Sequence, residues 1–190
     1  MKKLCYLFIG LMFIGLCGCN EQKQQQKVLT DTIGFDTIIE DSDTTIYGKC
    51  GEGTAMHSLE LITTDGDTLL LMIDDDSIPI IKGGLSVGDR LAVTVRPAGP
   101  DDDTDGDIAT QVINITTLLG KWSALDKTFE LFDDGAVICN VNEPKPITAW
   151  RIFNGHFLLS TDTFDIYELG ADTLYLENRD GIFVYKRIKQ

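Results

Sequence analysis

The sequence predicts an all-β chain built as two successive antiparallel modules. Three observations carry this. From Thr44 onward, short apolar runs alternate with polar residues at the period of two that marks half-buried strands. The runs are separated by tight-turn signals, among them Asp65-Gly66, Asp133-Asp134-Gly135, Asn154-Gly155 and Arg179-Asp180-Gly181. The one long apolar stretch, residues 4–16, lies ahead of this region and is too short to span a bilayer as a resident helix.

That N-terminal stretch follows Lys2 and Lys3 and ends in Leu16-Cys17-Gly18-Cys19. The pattern resembles the lipobox of bacterial lipoproteins, with Leu at −3, a small residue at −1 and Cys at +1. The resemblance implies that residues 1–18 are a signal peptide and that Cys19 is the lipid-bearing first residue of the mature protein. A thiol is the nucleophile that takes a diacylglycerol, and each buried CH₂ holds the protein to a membrane by about 0.8 kcal/mol. Cys17 is a poor rival, because Leu16 would then stand where a small residue is needed. Asn20 is not the Asp-type signal for inner-membrane retention, so the expected location is the cell envelope, lipid-anchored at the outer membrane. Residues 20–27 are polar and Gln-rich, and the span 19–43 reads as lipidated Cys, tether and extended arm. The chain carries 16 Lys and Arg against 30 Asp and Glu, a net charge of −14, and loss of Lys2 and Lys3 makes it more acidic. Such a surface repels nucleic acid.

Residues 44–117 read as the first module. Leu59 to Ile62 and Leu69 to Ile73 flank the Asp65-Gly66 turn as a hairpin, and Asp74 to Ser77 can start a helical turn. Gly88-Asp89 leads into an alternating run, and the acidic loop 100–107 precedes a strand from Ile108 to Ile115. Five short strands with a break after the third resemble a small OB-like barrel.

Residues 118–190 read as eight short strands joined by tight turns, a meander that can close as an up-and-down barrel. Gly120-x-Trp122 on its first strand and Tyr185-Lys186-Arg187 on its last resemble the lipocalin-like domain of envelope lipoproteins in Bacteroidetes-type bacteria. The resemblance implies that Arg187 packs over Trp122 and closes the barrel through a cation–π contact. The strands are short, so any cavity is smaller than that of a vitamin-carrying lipocalin.

Five other patterns carry chemistry. Gly84-Leu85-Ser86-Val87-Gly88 matches a nucleophile elbow, which works only on a strand-to-helix turn; here Ser86 runs toward a strand. Asp101, Asp103, Asp105 and Asp107 follow the first positions of an EF-hand loop, but position twelve is Val112 instead of a bidentate Glu, so calcium binding would be weak at most. Thr32, Thr37 and Thr44 each follow Asp and resemble Bacteroidetes O-glycosylation acceptors. Cys50 and Cys139 are compatible with a disulfide or with two separate thiols. Trp150, Tyr167, Tyr175 and Tyr185 lie in strands of the second module, as core aromatics by the usual distribution, or on the barrel exterior, or lining a pocket; without register no one face is assigned.

Nothing in the sequence points to a cofactor or a metal, and no group of nucleophile, base and orienter stands out. The expected function is a non-enzymatic binding or interaction module, anchored to the membrane through Cys19. It would take a small apolar ligand or an envelope protein. The alternatives are a structural or inhibitory envelope factor and, weaker, a hydrolase using Ser86. A hollow barrel favours a small ligand, and a filled barrel beside an exposed apolar patch favours a protein.

Overall fold

Alternation builds the first module. In β2 (Ser58–Thr63), Leu59 and Leu61 point inward and are fully buried; in β3 (Thr68–Ile73), Leu71 and Ile73 do the same. The two pair antiparallel across a turn in which Gly66 has φ +94°, a conformation that only glycine adopts without strain. The computed structural model describes residues 42–73, 80–102, 104, 106–140 and 146–189, all within the compact unit Glu40–Gln190.

β1 (Ile46–Cys50) pairs antiparallel with β2 on one side and with β5 (Arg90–Arg96) on the other. β6 (Ile108–Asn114) pairs antiparallel with β5 and parallel with β3, through Met72 opposite Ile108 and Ile73 opposite Ala109. The five strands therefore close as a ring in the order β1-β2-β3-β6-β5, which is OB-like connectivity. A two-residue strand, β4 (Ile81–Lys82), adds to the far half of β6 in parallel and has no counterpart in the sequence reading. The helical turn expected at Asp74 to Ser77 falls outside the described residues.

β5 and β6 are buried on both faces. Leu91 and Val93 enter the ring core, whereas Ala92, paired with Ile113, points the other way into the core of the second module. The register between β5 and β6 slips after Thr94, so that Ala109 and Val112 both face the ring. The chain then turns through α1 (Ile115–Leu118), which Asn114 caps by accepting the Thr117 N–H at 2.9 Å. Sequence alternation predicts one strand through Ile115 and the next from Leu118. The cap converts both ends into one helical turn whose Ile115 and Leu118 face the second core.

That second module is an eight-strand antiparallel barrel that nearly closes. Its strands are β7 (Gly120–Ser123), β8 (Thr128–Leu131), β9 (Val137–Cys139), β10 (Trp150–Phe153), β11 (His156–Leu159), β12 (Asp162–Leu169), β13 (Thr173–Asn178) and β14 (Gly181–Arg187). Asn154 (φ +48°) and Gly155 (φ +81°) form the two-residue turn between β10 and β11, as the Asn-Gly signal requires. First and last strands meet at Lys186 opposite Ser123 and Arg187 opposite Trp122. Between β9 and β10 the ladder narrows to a bridge of Ala136 and Ala149, flanked by the Val137 N–H donating to the Thr148 carbonyl at 2.9 Å.

Candidate functional site

Trp122 and Arg187 are brought together at the barrel seam. The indole is completely buried, and its Nε1–H donates to the Leu118 carbonyl at 2.8 Å. The Arg187 guanidinium carbon stands 4.1 Å from the indole centroid. Nη1 donates to the Leu119 carbonyl at 2.7 Å, Nη2 to Thr117 and Nε to Ala171. Thr117 lies in α1 and Leu119 directly follows it, so the guanidinium also occupies acceptors that a helix end leaves open. Burial pushes the Arg187 pKa down, and the Asp172 carboxylate works against that shift. The arrangement is a strut: each of the three nitrogens donates to backbone, and the flat face lies on indole.

The barrel interior is packed. Trp122, Phe129, Phe157, Leu174 and Leu176 have no accessible surface at all, and Tyr185 closes edge-on against Phe129 at 4.9 Å. A ligand-sized void beside these side chains would leave them accessible to water. Ala92, Ile113, Ile115 and Leu118 join the same cluster from the ring side, so the ring covers one end of the barrel. Tyr47 Oη donates to the Ile152 carbonyl and Lys82 Nζ to the Tyr167 carbonyl, both at 2.8 Å, across that junction.

The aromatics divide between the two faces. Tyr185 is buried and Trp150 packs partly against the core. Tyr167 is 58 % exposed because it follows the buried Ile166 and alternation turns it outward; the bulge there reverses the alternation after it, so that Glu168 is exposed and Leu169 buried. Tyr175 pairs with Val184, and Glu177 with Ile182, on the outer face. Ile182 and Val184 are 55 % and 46 % exposed. Beside this patch, His156 Nδ1 meets Asp165 Oδ1 at 2.6 Å. Reading the aromatics as core therefore fails for Tyr167 and Tyr175, which stand on the outer face between or beside the inward-facing Ile166, Leu174 and Leu176.

The remaining candidates lie apart. Asp102, a residue between the expected ligand positions, holds Arg96 through both carboxylate oxygens at 2.6 and 2.8 Å and accepts the Gly99 N–H at 2.6 Å. Those bonds, Arg96 first, hold its carboxyl well below the usual carboxylate range. Asp101 and Asp107 are exposed, whereas Asp103 and Asp105 lie outside the described residues. Among the described residues no cluster of three or more His, Cys, Asp or Glu could hold a metal ion. Thr44 donates both its N–H and its hydroxyl to Asn154 Oδ1 at 2.8 Å. Cys19, Thr32 and Thr37 fall outside the described residues. Ser86 is exposed, its N–H donates to Asp89 Oδ2 at 2.9 Å, and the chain runs from it through a turn into β5. Cys50 and Cys139 are both free thiols, Cys50 buried in the ring core.

One structural residue escaped the sequence reading. Asn114 is 1 % exposed; its Nδ2 donates to the Gly84 carbonyl at 2.9 Å and to Asp89 Oδ2 at 2.8 Å while its Oδ1 caps α1. An Asn three residues before Thr117 is a cap signal, here hidden inside an apolar run. No family model matches this chain, and neither a curated protein nor a solved structure matches it.

Proposed function

We propose that this chain is a lipid-anchored envelope protein that acts as a non-enzymatic interaction module and binds a protein partner on the outside of its second barrel. The anchor is Cys19, and the outer membrane is the proposed location. The resemblance to lipocalin-like envelope lipoproteins supports the setting. The observation that carries the choice of a protein over a small ligand is the packed interior, with Trp122, Phe129, Phe157, Leu174 and Leu176 fully buried. The outer-face apolar patch, in which Tyr167, Ile182 and Val184 are exposed and Tyr175 half-buried, supplies the surface such a partner would need.

A second reading, a structural or inhibitory factor using the ring, draws on Leu70, which is 63 % exposed on the outer face of β3. The hydrolase reading of Ser86 draws no support from a residue that precedes a strand. Photocrosslinking side chains placed at position 175 or at position 70 of the full chain, in intact envelopes, separate the first two. Capture of one protein from position 175 and none from position 70 is expected. Capture only from position 70 favours the ring. An apolar molecule recovered at one per chain from the purified protein would overturn the choice of a protein partner.

A further inference from the structure

The outer patch ends on a strand edge that is only partly used. β14 pairs along its whole length with β13, from Asn178 opposite Gly181 to Thr173 opposite Lys186. On its other side, among the described residues, it meets β7 in register only at Lys186 and Arg187. The reason is length: β7 ends at Ser123, and the Ala124 N–H donates to the Lys127 carbonyl to turn the chain into β8. Residues 181–184 run on past that turn.

Strand alternation says which backbone groups are left there. The Arg187 N–H donates to the Asp172 carbonyl on the β13 side, whereas the Ile188 N–H donates to the Lys121 carbonyl on the β7 side. Successive residues alternate, so Ile182 and Val184 share the orientation of Ile188 and turn their N–H and C=O groups toward the side on which no described strand pairs with them. Their side chains are 55 % and 46 % exposed. Leu125, at the tip of the turn beside this edge, is wholly exposed, and Phe183 is 36 % exposed.

The segment Gly181-Ile182-Phe183-Val184-Tyr185 carries no charge and no proline. Soluble proteins blunt edges of this kind with lysine, proline or a covering loop, because a bare apolar edge recruits another strand. We infer that the edge of β14 at Ile182 and Val184 is a strand-addition site for an extended segment of a protein partner, one that alternates apolar and basic residues. This rests on the interaction-module reading above and specifies how that module engages its partner.

Backbone pairing supplies the attachment and alternate side chains supply the selectivity. On one face the added strand meets Phe183, which packs edge-on against Phe164 and calls for an apolar side chain. On the other it meets Ile182 and Val184, with Glu177 one strand further on, and the net charge of −14 favours basic over acidic side chains at the positions left over. A second copy of this chain is a poorer occupant. It brings the same net charge of −14, and the two would repel.

The test uses the full mature chain and an acetylated, amidated eight-residue peptide of alternating Val and Lys. Amide hydrogen exchange at Ile182 and Val184 should slow when this peptide is added, and a Val/Glu peptide of equal length should leave it unchanged. Val184→Pro removes an N–H that faces away from β13 and spares the pairing with β13, so it should weaken the peptide by about ten-fold. Unslowed exchange at both amides in the parent chain overturns the inference, independently of how the proline variant folds. So does protection of the same amides by the chain alone in a concentration-dependent manner, which would assign the edge to a second copy. A crosslink from position 175 together with unprotected Ile182 and Val184 would overturn strand addition and leave the wider reading standing.

Discussion

Arg187 stacks on Trp122 at the residue pair where the last strand of the barrel meets the first. The contact exists only because the meander closes, so its energy measures that closure. Trp122→Ala should destabilise by about 3–5 kcal/mol, the usual loss for a large buried aromatic. Arg187→Ala should cost about 0.5–2 kcal/mol through lost stacking on the indole. The two share one contact, so the double variant should lose less than the sum of the singles. Urea unfolding of the four proteins measures this. Strictly additive losses would mean that the stack contributes nothing to closure.

Ile113 ties the two modules together. It sits on β6 of the ring, has no accessible surface, and belongs to the barrel's core cluster. Ile113→Ala should cost about 2–5 kcal/mol. Because ring and barrel share that cluster, the loss should lower one common transition. Protection of the amides against exchange in β2 and in β12 should therefore fall in parallel. A variant in which β12 loses protection while β2 keeps it would show that the modules unfold separately.

Much of this architecture was legible in the sequence because its strands are separated by turns that only a few dipeptides can make. Asp65-Gly66 and Asn154-Gly155 each mark a turn between paired strands, and the alternation of Leu59 and Leu61 states which face is inside. What was hidden depends on contacts between distant residues. Ala92 and Ile113 read as ordinary ring positions, and only the second core explains why β5 is apolar on both faces. The helical turn at Ile115 to Leu118 looks like strand until Asn114 is seen capping it. The side on which Tyr167 stands depends on the register of its strand, and the bulge after it reverses the alternation so that Leu169 is buried. Trp122 and Arg187 were reachable only through resemblance, because nothing local joins residues so far apart in the chain.

The anchor can be tested without any structure. Cys19→Ala removes the thiol that would carry the acyl chains, so the protein should remain unprocessed or become soluble. Detergent phase partition of the parent and variant reads this directly. A variant that is cut to mature size and still enters the detergent phase would refute lipidation at Cys19.

The acidic loop should bind calcium weakly at most. The residue at its twelfth position, Val112, is fully buried in the ring core and carries no oxygen to offer. Asp102 is already committed to Arg96 and to the Gly99 N–H. Calorimetry with calcium chloride should show no saturating heat at micromolar concentrations. A micromolar isotherm that disappears in the double variant Asp103→Ala, Asp105→Ala would contradict this.

The start of the described chain is latched to the barrel in a way that acid should loosen. Asp43 Oδ1 accepts the Thr45 N–H at 3.0 Å and the Asn154 N–H at 3.2 Å, and Asn154 Oδ1 accepts from Thr44. Burial pushes the Asp43 carboxyl up, but the bonds from Thr45 and Asn154 and the charge of Arg151 outweigh it, so its pKa lies below the ordinary value of 3.8. Tyr47 also faces this carboxylate, and stays protonated throughout the acid range because its own pKa is raised, chiefly by burial. A depressed carboxyl stabilises the fold fully above its unfolded pKa of about 3.9, and that contribution is lost as pH falls through the lower folded value. The amide resonances of Thr45 and Asn154 should therefore hold steady down to about pH 4 and titrate together below it. Asp43→Asn should abolish that shared titration and leave the pattern of β12 and β13 unchanged. A common midpoint above 3.8 would mean that the carboxylate gains nothing from the latch.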